Sequence, residues 1–178
     1  MEMNNYLTEK SLGEYLEQIF PKYKFIRDKA VPDSKIRNRP DYRNDELMLI
    51  VKFDGYRHYS NPDNILVDEQ KDTVYEAMGY TIIRIPYFIQ MSTDIIKLLF
   101  NKDLNIKQIY PHGFIDSKAM LPAFFCELGI TRFKNDLNKF NIVKEDIVLS
   151  LKHKNEKNKH INYVLPPSLH ELLINEEK

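Results

Sequence analysis

The 178-residue chain is poor in the features that most quickly place a protein in a class. It has one cysteine, Cys126, which excludes an intramolecular disulfide framework and a cysteine-rich zinc site and fits a reducing compartment. Set in the apolar run Leu121-Pro-Ala-Phe-Phe-Cys, that cysteine reads as a buried packing residue rather than a nucleophile. Net charge is also missing: 26 basic residues balance 26 acidic ones. No global field announces nucleic acid, so any such binding has to use a local patch. The opening MEMNNYLTEK has no apolar signal region and no run approaches membrane-spanning length, so a soluble cytoplasmic protein with no membrane partner is expected. There is no internal repeat and no low-complexity tract. The length suits one ordinary domain with a full core and room for a small appendage.

What is present is concentrated between Arg39 and Tyr59. Leu47-Met48-Leu49-Ile50-Val51 is a continuous apolar run, the pattern of a strand buried on both faces. It leads directly into Lys52, Asp54, Arg57 and His58. Ahead of it, Arg39-Pro40-Asp41-Tyr42 reads as a separate short strand, with Asn44-Asp45 as the turn between them. Side chains two apart on a strand share a face, about 7 Å from each other, so Lys52 and Asp54 point the same way. Charges ending a core strand cost several kcal/mol if unpaired, which suggests a site. Taken singly, Asp54-Gly55 is an ordinary turn dipeptide and Lys52 a lysine that snorkels to solvent; together they point to chemistry. Carboxylates on strand ends beside a lysine form a hard, oxygen-rich place for Mg²⁺, which would polarise a phosphate and lower the pKa of an attacking water. His58, just past a turn that Gly55 permits, is placed to act as base.

Around this stretch the pattern predicts an α/β fold. Ser11-x-x-Glu14 has capping-box spacing ahead of a helix to Phe20, which gives Glu14 a plain structural role as the cap partner of Ser11. Tyr23–Val31 reads as a strand. Lys35, Arg37 and Arg39 follow at alternate positions in the most basic region of the chain, either a solvated surface or a phosphate-contacting patch. Ser60–Asn64 reads as a polar loop, Val67–Met78 as a helix with Val67, Val74, Ala77 and Met78 inward and Gly79 as its C-cap, and Tyr80–Ile85 as a strand. Strand, helix and strand within about 35 residues make a crossover unit, so that strand should lie parallel to the first. Ser92–Phe100 is an amphipathic helix. Beyond residue 101, helices are expected over Ala119–Phe140, broken by Pro122 and Gly129, over Ile142–Leu151, and from Ser168 to Ile174, with Lys152–Lys159 a charged, mobile linker. His112 in its turn reads as structural, and His153, His160 and His170 lack the spacing of a metal site with Cys126.

Glu14 on a first helix, Arg39-Pro40-Asp41 on a strand, the apolar strand into Asp54-Gly55-x-x-His58, Asp68-x-x-Lys71-Asp72 on a helix and Gly79-Tyr80-x-x-x-Arg84 on the next strand resemble the PD-(D/E)XK nuclease superfamily. Within it, the likeness is to the very-short-patch mismatch-repair endonucleases and related small restriction-like nucleases. The resemblance covers roughly residues 8 to 90. It implies a restriction-endonuclease-like core over residues 1–100, a central mixed sheet flanked by helices, with 101–178 a mainly helical extension. It further implies a Mg²⁺- or Mn²⁺-dependent DNA endonuclease. Asp41 would be the central metal ligand with Asp54 as the second; Glu14 an auxiliary acid; Lys52, His58, Asp68 and Lys71 would work around the attacking water, and Arg84 would be structural. Lys35, Arg37, Arg39 and Arg57 would contact DNA phosphates, and the extension would give specificity or contacts to a second copy or an accessory protein.

One departure from the family pattern stands out. Relatives read Glu-x-Asp-Gly or Glu-x-Lys at the strand end, whereas this chain reads Lys52-Phe53-Asp54, with a lysine at the expected acid. Either the charges have exchanged places, Asp54 giving the carboxylate and Lys52 the cation, or Lys52 pairs with Asp41 in the ion's stead. The second case leaves a catalytically inactive nuclease fold that binds nucleic acid or a protein partner.

Overall fold

The computed structural model describes residues 2–3, 6–159 and 161–174; His160 lies outside them. A two-residue strand β1 (Glu2–Met3) precedes helix α1 (Glu9–Ile19), which starts at Thr8 rather than at Ser11. Thr8 Oγ1 accepts from Ser11 N while Ser11 Oγ accepts from Thr8 N, so the capping box is Thr8–Ser11 and Glu14, exposed on the helix, is not its partner. The strand expected over Tyr23–Val31 shortens to β2 (Ile26–Arg27), and the one expected over Arg39–Tyr42 moves on to β3 (Tyr42–Asn44). A turn over residues 45–48 leads into β4 (Leu49–Asp54). A single-turn helix α2 (Arg57–Ser60) follows, then α3 (Pro62–Ala77), β5 (Thr81–Pro86) and α4 (Thr93–Phe100). A short β6 (Lys107–Gln108) pairs parallel with β1. After a 3-10 turn at Pro122–Phe124 come α5 (Glu127–Lys139), α6 (Lys144–Asn158), α7 (Ile161–Val164) and α8 (Glu171–Ile174).

The main sheet runs β2-β3-β4-β5, antiparallel except for the parallel pair β4 and β5, so the fold is α/β with a four-stranded mixed sheet flanked by helices. The crossover through α3 has the parallel outcome expected of it. Two sequence readings are corrected along this unit. Asn61 caps α3, its side chain accepting from Asp63 N and Asn64 N, with Pro62 in the first turn, so the supposed loop is helix. The helix consequently turns Ile65, Asp68 and Tyr75 inward and leaves Val67 and Ala77 exposed. Gly79, at φ +92°, ends the helix as expected. Gly55 does not have a left-handed φ, and a Cβ there would meet nothing within 4 Å, so the turn before His58 does not depend on glycine.

The core does not divide at residue 100: Leu12 and Leu16 of α1, Val51 and Ile85 of the sheet, Phe133 of α5 and Leu151 of α6 belong to one continuous apolar cluster. The expected linker at Lys152–Lys159 is instead the last turns of α6 through Asn158, anchored where Lys154 Nζ donates to the Asp116 carbonyl. Cys126 is half-buried and caps α5, its Sγ accepting from Gly129 N at 3.4 Å. His112 is buried and accepts from Phe114 N, the structural role expected of it; burial pushes its pKa down to about 4. No helix among the described residues is long and apolar enough to cross a membrane.

Candidate metal centre and phosphate cavity

Alternation along β4 puts Ile50, Lys52 and Asp54 on the face covered by α3, and the parallel register sets Lys52 directly beside Arg84 of β5. From the other side, Ile65, Asp68, Asp72 and Tyr75 of α3 recur at intervals of three and four and face the sheet. The upper part of this interface is apolar, Ile50 and Ile82 under Tyr75. The lower part is charged. Asp72 bridges both strand cations, Lys52 Nζ to Oδ1 and Arg84 Nε to Oδ2, each at 2.6 Å. Arg84 Nη1 reaches Asp54 Oδ1 at 2.5 Å and lies 3.4 Å from Asp68 Oδ2. Asp54 Oδ2 is held by Arg132 of α5, whose Nη1 also donates to the His58 carbonyl at 3.2 Å.

Asp54, at 1% exposure, therefore has a guanidinium on each oxygen. His58 Nδ1 makes a short contact with Asp68 Oδ2 and stands 3.9 Å from Asp54 Oδ1. Against the upward push of burial, the contact with His58 and the charge of Arg84 hold Asp68 well below the usual carboxylate range. Burial and the charge of Arg84 lower the Lys52 pKa, and Asp72 opposes them.

Asp41, Lys52, Asp54, His58, Asp68 and Lys71 line one cavity of about 100 Å³. With Arg39, seven of the residues to which the sequence points thus converge from β4, α2, α3 and the segment before β3. Their arrangement differs from expectation in three ways. Lys52 pairs with Asp72 and rests 5.3 Å over the ring of Tyr75, so it does not pair with Asp41. Asp41, expected as the central metal ligand, spends one oxygen on Phe53 N at 2.6 Å and has no salt bridge among the described residues; burial pushes its carboxyl up to about 6, the Phe53 N–H opposing. Glu14 does not line the cavity; the α1 carboxylate whose charge acts on Asp41 is Glu9.

Among the described residues, the group able to hold a metal is Asp54, His58 and Asp68, one donor atom from each lying within 4.8 Å of the others. Two carboxylates and an imidazole fit a divalent ion, and the nitrogen donor suits Mn²⁺ better than Mg²⁺, which favours oxygen alone. Of the expected phosphate contacts, Lys35, Arg37, Arg39 and Arg57 are all exposed, and among these four Arg39 alone lines the cavity.

No local spacing points to Arg132, which lies outside the stretch between Arg39 and Arg84. One signal was available. Gly129, three residues earlier, packs so close that a Cβ would stand 1.7 Å from the Tyr59 carbonyl oxygen. That approach of α5 to α2 is what lets Arg132 reach His58 and Asp54, with its guanidinium 5.1 Å over the Tyr59 ring. No family model, no curated protein and no solved structure matches the chain.

Proposed function

We propose that the chain is a metal-dependent endonuclease with a restriction-endonuclease-like core, hydrolysing phosphodiester bonds of DNA at the cavity between Asp41 and His58. The observation that carries this reading is the convergence of Asp54, His58 and Asp68 donors within 4.8 Å, next to Asp41, Lys52 and Lys71. Burying so many charges is costly compared with an apolar filling, and such clusters of perturbed groups gather at functional sites.

Asp54, His58 and Asp68 would hold the ion, which when bound supplies a polarised phosphate and a more acidic water. The contact between His58 Nδ1 and Asp68 Oδ2 keeps these two donors together before an ion is bound. Asp41, which lines the same cavity and whose carboxyl burial pushes up to about 6, would accept a proton from the attacking water. Lys71, 3.7 Å from Asp68, and the exposed Arg39 line the cavity and would position the phosphate.

The test is nicking of supercoiled plasmid with Mg²⁺ or Mn²⁺. We expect Mn²⁺ to support more cleavage than Mg²⁺, and Asp54→Asn to abolish it. A folded protein that cleaves no DNA under either ion would overturn the reading.

A second reading, a non-cutting member of the same fold that binds nucleic acid or a protein partner, is favoured by a different observation. Asp54, Asp68 and Asp72 are already matched by Arg84, Arg132, Lys52 and His58. Calorimetry separates the two: divalent binding that disappears in Asp54→Asn supports the enzyme, and no divalent binding supports the module.

A further inference from the structure

The guanidinium of Arg132 reaches both carboxylates of the candidate metal group and the main chain of its histidine. It holds Asp54 Oδ2, donates to the His58 carbonyl at 3.2 Å and lies 3.8 Å from Asp68 Oδ2. A cation from α5 thus already occupies one carboxylate that would serve a dication and stands near the other. The two arginines on Asp54 are not anchored equally. Arg84 is tied to a second carboxylate, Asp72, at 2.6 Å, whereas the next carboxylate to Arg132 is the more distant Asp68. Arg132 also lines a second cavity, of about 400 Å³ between α3, β5 and α5, whose charged lining is mainly acidic, with Asp68, Glu69, Asp72, Glu76 and Asp136. The side chain therefore has space to leave Asp54. The α5 backbone itself is pinned at Gly129 against Tyr59, so such a turn is made by the side chain alone.

We propose that Arg132 is a built-in competitor for the divalent ion: it holds Asp54 Oδ2, next to Asp68, in the DNA-free protein and turns away onto a backbone phosphate when DNA binds. A guanidinium exchanges a carboxylate for a phosphate with little loss, because both accept its paired N–H groups. Asp54 Oδ2 is then released at the moment substrate arrives. Metal loading and DNA binding become coupled, each strengthening the other by the same factor. This inference rests on the nuclease reading for its purpose, but its test does not depend on cleavage.

The experiment titrates Mn²⁺ into the full chain without DNA by calorimetry, comparing the wild type with Arg132→Gln. Removing a positive charge from contact with the group should tighten Mn²⁺ binding by at least about tenfold, since one short-range charge near a protein surface has effects of that order or larger. A short DNA duplex should tighten Mn²⁺ binding in the wild type and leave Arg132→Gln little changed. Wild-type affinity or weaker in a folded Arg132→Gln overturns the proposal. Should Arg132→Gln fail to fold, Arg132→Lys carries the test: the compact ammonium lacks the fork that spans Asp54 and His58, so a several-fold gain is expected and none overturns the idea. Tighter Mn²⁺ binding without nicking by any variant would keep Arg132 as competitor and remove the nuclease reading; nicking with no change in Mn²⁺ affinity would do the reverse.

Discussion

The two faces of the main sheet are built on opposite principles. Toward α1, Leu49 and Val51 of β4 and Ile83 and Ile85 of β5 meet Leu12 and Leu16 in one apolar cluster. Toward α3, the same strands begin alike, with Ile50 beside Ile82, and then place Lys52 beside Arg84 and end in Asp54. Like charges directly opposite on neighbouring strands destabilise a sheet; here Asp72 resolves the conflict by accepting from both. The first face is what burial of apolar area gives without further help. The second survives only because each charge is matched by another element, and it is this face that opens into the cavity.

The comparison is broken most forcefully at Asp54. Asp54→Ala strands Arg84 and Arg132 without their shared carboxylate and should cost about 3–5 kcal/mol in urea unfolding, the usual penalty for breaking a buried pair, while also removing divalent binding. On the apolar face, Leu16→Ala should cost a comparable ~2–5 kcal/mol from the cavity it leaves, yet leave Mn²⁺ affinity where it was. Equal effects of both variants on metal binding would contradict the division of labour between the faces. Lys52→Met should change stability by less than about 1 kcal/mol. Asp72 keeps Arg84, one of two adjacent like charges disappears, and an apolar side chain of similar length replaces an ion pair that contributes little net. A loss as large as that of Asp54→Ala would show that Lys52 supports the cluster rather than merely fitting it.

How much was legible follows the same division. The apolar face was readable because periodicity and caps report burial: the parallel β5 and the stop at Gly79 appear where the pattern puts them, and the apolar run becomes β4 from Leu49 on, with Leu47 and Met48 in the turn before it. On the charged face, spacing gave the residues but not their pairing. Lys52 and Asp54 share a face as expected, but that Lys52 would choose Asp72 over Asp41 depends on the start of α3 at Pro62, which sets the helix rotation and hence which carboxylates point in. The inward stripe of α3 could not be found by searching for apolar positions, because two of its members are aspartates. Arg132 was hidden for a different reason: its contact with Asp54 spans 78 residues and depends on a backbone approach that only Gly129 betrays. Local pattern fixes elements, and long-range packing decides which charges meet.

Asp41 and Asp68 line one cavity, and the dependence of stability on pH separates them by sign. Asp68 is held low in the folded state, so the stability it contributes is present above its unfolded pKa and is lost as pH falls through that range. Asp41 is raised from 3.8 to about 6. Its folded form retains a proton that the unfolded chain has already released, so its contribution is complete below about pH 4 and is lost as pH rises toward 6. Stability should therefore decline with rising pH across that window, contrary to the usual behaviour of a paired carboxylate. Asp41→Asn can keep an oxygen toward Phe53 N and never ionises. It should flatten the decline and leave the protein about 1–2 kcal/mol more stable at pH 7.5, somewhat less than the full shift implies because the group is only partly buried. Urea midpoints of both proteins at pH 4.5, 5.5 and 7.5 would measure it. A slope that persists in Asp41→Asn would assign the decline to another group and remove the basis for giving Asp41 the proton-accepting role.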